Sequence, residues 1–385
     1  MYVTDSAALE TLVEQARKAS VVGLDTEFMR ERTYWARLCL VQLSADDITA
    51  IIDPLAIPDL APLAALLSDQ KVVKVFHAGS QDLEIFFREF GLATAPVFDT
   101  QLAATLAGFP QQVGYGALVK EVLGVSLDKG DTYTDWSKRP LSGTQIEYAL
   151  NDVRYLPEIY RRLHEELDKG NRLAWLADDF AELSDPSTYM VDPAEQWRRL
   201  KRLSSLNRRQ LAVAREVAAW REREAQRRNV PKRWLLGDEA VIEIARRSPK
   251  STNDLEAIRG VTDKLPKAAY RSVVEAVHAG MRVPDGELPS LPKRRRPAQD
   301  IDAAVDLMVA LARLRAREHG VAMPLLASRT DLERLAAGDR DESPLLEGWR
   351  ATMLGNELLD LLDGRIGLKL EGGSLSVEHR RNEED

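Results

Sequence analysis

Val21-Val22-Gly23-Leu24-Asp25-Thr26-Glu27-Phe28 begins as an apolar run and ends in acid. Its first four residues have the length and composition of a buried strand. Strand alternation then points the side chains of Asp25 and Glu27 to the same face. Two neighbouring carboxylates beyond a buried strand repel each other and resist desolvation, so they require a cation or water. Taken alone, the pair has the ordinary reading of a solvated strand end.

Outward from this strand, the N-terminal half alternates strands and helices. Leu38–Leu43, Thr49–Ile52 and Lys71–Phe76 are apolar runs of strand length, with Ala45-Asp46-Asp47 as a turn between the first two. Helical spacing covers Pro58–Leu67 and Gln81–Phe90, the latter stopping at Gly91. Asp99 stands where an N-cap would, and one long helix is expected from Thr144 to Leu167. The pattern predicts a mixed-sheet α/β domain over residues 1–190 with helices on both faces. From Asp192 the strand signal ends. A first helical domain is expected over 195–282, punctuated by Pro231, Gly237, Pro249 and Gly260. Residues 283–299, with the run Lys293-Arg294-Arg295-Arg296, read as a basic, proline-rich linker. A second helical domain is expected over 300–370, and 371–385 as an unstructured tail. The two helical segments have the look of a degenerate repeat. Arg223-Glu224 leads through Val230-Pro231 to Leu235-Leu236, and Arg317-Glu318 leads through Val321 and Pro324 to Leu325-Leu326.

Composition bounds the function. The chain has 385 residues, 44% hydrophobic and 30% charged, which suits two or three globular domains. No apolar run is long enough for a membrane span, and the N-terminus lacks the pattern of a signal peptide. The single cysteine, Cys39, excludes an internal disulfide or a multi-cysteine zinc site and is expected as a buried thiol. A cytoplasmic protein is the expectation. The net charge of −8 hides an asymmetry: residues 1–190 carry 17 Lys and Arg against 29 Asp and Glu, whereas 191–300 carry 25 against 15. An acidic module can gather metal cations while a basic one neutralises phosphates. Solvated Arg-rich helix faces would account for the same numbers.

Two further acids complete a set. Asp82 lies at the start of the helix after strand Lys71–Phe76, where the helix dipole favours an acid for purely structural reasons. Asp152 lies one helical turn after Tyr148, so the two project from one face. The ordered set Asp25-Thr26-Glu27-Phe28, His77 with Asp82-Leu83, and Tyr148 with Asp152-Val153 resembles the DEDD exonuclease superfamily in its tyrosine branch. Val97-Phe98-Asp99-Thr100 and Asp135-Trp136-Ser137-Lys138-Arg139-Pro140-Leu141 narrow the resemblance to the ribonuclease D family. Trp220-Arg221, Asn229-Val230-Pro231, Ala245-Arg246-Arg247-Ser248-Pro249 and Ile258-Arg259-Gly260 resemble a helicase-and-RNase-D C-terminal (HRDC) domain, with a diverged copy after residue 300.

The resemblance implies a ribonuclease H-like mixed sheet followed by two small all-α HRDC-like domains. It also implies two Mg²⁺ or Mn²⁺ ions held by Asp25, Glu27, Asp82 and Asp152, with Tyr148 orienting the attacking water. Weaker expectations place Phe28, Met29, His77, Ser137, Lys138 and Arg139 against substrate. Asp99 is left outside the metal set because an N-cap role suffices. The activity implied is a 3′→5′ exoribonuclease that releases nucleoside 5′-monophosphates and trims tRNA precursors and other small structured RNAs; with catalytic and RNA-holding parts on one chain, a monomer is sufficient and is the expectation. The alternatives are a DNA-directed exonuclease on the same fold and an inactive RNA-binding adapter. A helicase is excluded because no phosphate loop of the form Gly-x-x-x-x-Gly-Lys-Ser/Thr occurs.

Overall fold

The computed structural model describes residues 1–127, 134–261, 265–291, 301–341 and 343–379. Six strands form one mixed sheet in the order β1-β4-β3-β2-β5-β6. They are β1 (Tyr2–Val3), β2 (Val21–Met29), β3 (Arg37–Ala45), β4 (Ile48–Ile52), β5 (Val73–Phe76) and β6 (Val97–Asp99). β2, β3 and β4 are antiparallel neighbours, while β5 and β6 continue from β2 in parallel. The register pairs Asp25 with Gln42 and Glu27 with Leu40, then shifts between Glu27 and Phe28. Such an irregularity re-aims side chains at a strand end.

Alternation along β2 sorts its residues between two helical layers. Val22 and Leu24 join the core beneath α1 (Ser6–Ala16), α2 (Ala61–Leu67) and α3 (Ser80–Phe90). Val21 faces the opposite layer, which includes α4 (Thr100–Leu106), α5 (Tyr115–Leu123), α6 (Gly143–Arg154) and α7 (Leu156–Lys169). Asp25 and Glu27 share the parity of Val21 and therefore open toward α6.

The helix expected from Thr144 to Leu167 is two helices. A capping box between Ser142 and Gln145 starts α6, and Tyr155 separates it from α7. Pro157 has no N–H to donate to the Val153 carbonyl, and its ring crowds that turn. Ser44 Oγ of β3 donates to this carbonyl instead, at 2.6 Å. The break is seated on Gly23, where a Cβ would lie 2.5 Å from Ser44 Oγ and 2.7 Å from Leu156 Cβ. A residue with a side chain there would push Asp152's helix off the sheet.

After α8 (Ala177–Ser184), the regular elements of the described residues are helical as far as Leu362. α9 (Arg208–Arg228), α10 (Lys232–Leu235), α11 (Asp238–Arg247), α12 (Thr252–Glu256) and α13 (Tyr270–Arg282) enclose a core of their own. α13 approaches the backbone of α9 at Gly280, where a Cβ would meet Val213 Cα at 2.5 Å. α14 (Asp302–His319), α15 (Met323–Leu326) and α16 (Arg329–Ala336) repeat the element order of α9, α10 and α11. The long helix ends in both cases at a left-handed residue, Asn229 or Gly320. Unlike the first unit, the second merges its apolar residues with those of α4, α5 and α7 in one core.

Two expectations about connecting segments need correction. Residues 283–291 are not a free linker: Arg208 donates to the Leu288 carbonyl at 2.7 Å, and Arg209 binds the Val283 carbonyl and Asp285. The basic run 293–296 lies outside the described residues. The expected tail forms, as far as residue 379, a hairpin of β7 (Ile366–Glu371) and β8 (Ser374–His379). Its polar composition concealed the alternation that half-buries Leu368, Leu375 and Val377, and Gly372-Gly373 supplies the positive-φ turn. Residues 380–385 lie outside the described residues.

Candidate active site

Asp25 and Glu27 from β2 and Asp152 from α6 each offer a carboxylate oxygen, and these atoms lie within 4.8 Å of one another. Among the described residues this is the one group of three or more His, Cys, Asp or Glu side chains so placed. Asp82 stands beside the group but is not part of it. It arrives on the first turn of α3, from the opposite layer, and its Oδ1 accepts the hydroxyl of Thr26. Thr26 points away from Asp25 and Glu27, so one strand presents two acids on one face and anchors a third acid from the other.

The cluster resists ionisation. Burial, followed by the charges of Asp82, Asp152 and Glu27, holds the Asp25 carboxyl well above the ordinary range. Burial and then Asp152 and Asp82 push Glu27 up to about 8. Burial raises Asp152 to about 7 against a hydrogen bond with Tyr148, and raises Asp82 to about 6 against the bond from Thr26. Tyr148 stacks on Trp136, with ring centroids 6.1 Å apart and planes at 29°. Burial, then Asp152, Glu27 and Asp25, raise its phenol pKa, so it keeps its proton.

The weaker substrate contacts fare differently. Arg139 is not available to phosphates: Nε and Nη2 grip the buried Asp53 at 2.5 and 2.8 Å, and further donors reach the carbonyls of Cys39, Trp136 and Lys138. Burial opposes ionisation of Asp53, but the bonds from Arg139 and Tyr2 outweigh it and lower its pKa. His77 is likewise occupied, with Nδ1 2.9 Å from Thr100 Oγ1 and Nε2 2.9 Å from the Val113 carbonyl. A carbonyl only accepts, so Nε2 carries the proton. Ser137 Oγ donates to Asp135, and the exposed Lys138 pairs with the same acid at 3.7 Å. Phe28 packs into the core of the α1–α3 layer, and Met29 joins the cluster around Trp136 and Tyr148. Asp99 is the N-cap of α4 and also accepts from the N–H groups of Ala78 and Gly79, and it is not part of the three-acid group. Cys39 is a buried thiol on β3, as expected.

Sequence reading missed Thr26 and Tyr115. The Tyr115 hydroxyl accepts from the Tyr155 N–H at 3.2 Å, and its phenol, raised chiefly by burial, feels the charges of Asp152 and Asp25. It stands in Gly114-Tyr115-Gly116, where no periodicity marks it.

The first helical unit contacts the catalytic domain at the loop that follows β2. Asn229 Oδ1 accepts from the N–H groups of Tyr34 and Trp35, at 3.1 and 3.0 Å, in the loop that follows β2. Tyr34 donates to the buried Glu222, and the Arg88 guanidinium lies 3.3 Å from the centroid of the Trp35 ring. Beside this junction lies a groove of about 600 Å³ lined by Arg30, Glu84, Arg199, Lys232, Arg233 and Trp234. A second groove of about 970 Å³ continues past Arg233 to Lys201, Arg202, Arg246 and Arg259.

An acid cluster at the carboxyl end of a sheet strand, beneath a helix carrying tyrosine and aspartate, defines a DEDD-class exonuclease, a fold that works with divalent metal ions. Residues 1–168 match the 3′–5′ exonuclease family, and residues 210–277 match the HRDC domain. The chain is 47% identical to a ribonuclease D of Gluconacetobacter diazotrophicus, over 96% of this chain and 94% of the relative. It is 44% identical to that of Granulibacter bethesdensis, over 97% and 95%. The structure of Escherichia coli RNase D, an exoribonuclease involved in structured RNA processing, superposes with a TM-score of 0.82 at 32% identity, covering 94% of this chain and 98% of that one. The chain belongs to the ribonuclease D family of 3′–5′ exoribonucleases. No helix of the described residues is long and apolar enough to cross a membrane.

Proposed function

We propose that this chain shortens RNA from the 3′ end by metal-dependent hydrolysis, acting as a monomer on tRNA precursors and other small structured RNAs. The observation that carries this reading is the convergence of Asp25, Glu27 and Asp152 beneath Tyr148. The donor set is all carboxylate oxygen, and its raised pKa values mark a site whose charge is relieved by a cation. Hard oxygen donors suit Mg²⁺ or Mn²⁺. Asp25, Glu27 and Asp152 would hold the ions, and Asp82, with one oxygen on Thr26, would contribute its other oxygen. Divalent ions at such a site supply charge neutralisation at the phosphodiester and a water acidic enough to attack at neutral pH.

The chain's own residues then have defined work. Tyr148, still protonated and braced by Trp136, orients the attacking water by hydrogen bonding instead of removing its proton. The water oxygen bonds to the terminal phosphorus, the bond to the 3′-oxygen of the preceding nucleotide breaks, and that oxygen takes up a proton. The products are a nucleoside 5′-monophosphate and RNA one nucleotide shorter. The body of the RNA would follow the basic grooves across Lys232 and Arg233, with Trp234, which is 51% exposed, as a stacking surface. Residues 195–282 act here as an HRDC domain and 300–370 as its diverged copy, packed on the catalytic domain. The lone buried thiol of Cys39 suits a cytoplasmic setting.

The test is Mg²⁺-dependent release of mononucleotides from 3′-labelled RNA, run beside a DNA strand of the same sequence. Release from RNA by wild type, its loss in Asp25→Asn, and affinity falling steeply with salt are expected. An inactive wild type or an active Asp25→Asn would refute the proposal, and equal release from DNA would favour the DNA-directed reading.

A further inference from the structure

Gln42 is the described side chain with the least accounted-for chemistry. It sits in the middle of β3 with no exposed surface, and neither its amide nitrogen nor its amide oxygen has a hydrogen-bond partner. Other isolated buried atoms lack partners, but no other described side chain has two of them. Burying a carboxamide with both ends unused is costly, so a chain that retains one has a use for it or an apolar residue would serve better.

Its position says what that use is. The β2–β3 register sets Gln42 directly opposite Asp25, and facing residues of an antiparallel pair project to the same side with Cβ atoms about 5 Å apart. Its neighbours on that side of β3 are Leu40, which packs in one cluster with Ala149 of α6, and Ser44, which donates to the Val153 carbonyl. Gln42 therefore lies beneath the turn of α6 between Ala149 and Val153, the turn that carries Asp152. It is a neutral donor and acceptor enclosed between the two elements that supply the three-acid group.

We infer that Gln42 is a positioning residue of the metal centre: its carboxamide, enclosed between β2 and α6 directly opposite Asp25, orients the Asp25 and Asp152 carboxylates when they hold divalent cations. A neutral amide can donate to a carboxylate oxygen turned away from a cation, fixing the carboxylate's orientation without adding charge. The inference rests on the assignment of Asp25, Glu27 and Asp152 as metal carboxylates.

Gln42→Met conserves volume and removes both polar atoms, whereas Gln42→Asn keeps the carboxamide on a shorter stem. Mn²⁺ binding, measured by calorimetry on the full chain, is expected to weaken about 10–100-fold in Gln42→Met, the range for losing a partner that orients a metal ligand. The melting temperature of metal-free Gln42→Met should equal or exceed that of wild type, because the substitution removes unpaired buried groups. Gln42→Asn should bind Mn²⁺ more tightly than Gln42→Met. Gln42→Met binding Mn²⁺ within twofold of wild type would overturn the inference, as would a loss of binding that merely tracks a fall in melting temperature in both variants. Wild-type protein labelled with ¹⁵N-glutamine gives a reading that needs no variant. Its solvent-protected side-chain NH₂ pair should shift on Mg²⁺ addition, and an unmoved pair would overturn the inference. Should wild type itself bind neither ion, the metal assignment fails and not the role of Gln42 alone.

Discussion

Asp25, Glu27 and Asp152 keep their carboxyl protons to higher pH than free carboxylic acids, because burial opposes the charged form of each and, for Asp25 and Glu27, neighbouring acids repel it as well. For these groups the folded state binds more protons than the unfolded state between about pH 4, the ordinary carboxyl value, and the raised folded values near 7 and 8. The metal-free protein therefore loses stability from this cluster as pH rises through that window. Divalent cations bind the ionised form, so the rise in melting temperature on adding Mg²⁺ should be small at pH 6 and clearly larger at pH 8. A rise independent of pH would contradict the cluster's role. Tyr148→Phe tests the other half of the site. The ring stack on Trp136 is retained, so the fold should hold while kcat drops about 100-fold or more with KM little changed, as steady-state kinetics on a short RNA would show.

At the scale of elements, the seat of α6 and α7 on β2 decides whether Asp152 reaches the acids. Gly23→Ala would force a methyl group into Ser44 Oγ and Leu156 Cβ. It should cost about 1–3 kcal/mol in urea unfolding, in the range for overpacking a core, and lower Mn²⁺ affinity because the helix must lift. The break itself was legible in Pro157, yet helical spacing on both sides hid it; the proline's effect depended on Ser44 being present to satisfy the Val153 carbonyl. The loop after β2 is held the same way, by Asn229 at the end of α9. Asn229→Ala should remove both bonds and the left-handed cap together. A loss of about 1–2 kcal/mol in the same unfolding measurement is expected.

Over the whole molecule, the two helical units differ in how they are attached. The first has its own core, to which the catalytic domain contributes the partly buried Tyr34. The second shares a core with α4, α5 and α7, and Trp175 stacks on Trp349 at 5.4 Å across that boundary. A fragment of residues 195–291 should therefore melt cooperatively alone, while residues 301–379 alone should show no cooperative transition by circular dichroism. Local pattern reached far into this fold. The strand–helix alternation, the faces of Asp25 and Glu27 and the one-turn spacing of Tyr148 and Asp152 follow from the backbone periods of 2 and 3.6, and the capping role of Asp99 from its place just ahead of a helix. These depend only on neighbours in the chain. Contacts between distant elements were closed to such reading. A run such as Ser137-Lys138-Arg139 is the same whether its guanidinium meets a phosphate or Asp53, and packing placed Asp53 there. Asp82 reads as a helix-start acid in any fold, and packing of α3 on the face opposite α6 made it reach the strand end through Thr26. The four acids were thus named by their order along the chain. Their division into three that converge and one that leans in from the other layer came from how the layers stack, since an element's own residues set where its side chains point but not what stands opposite them.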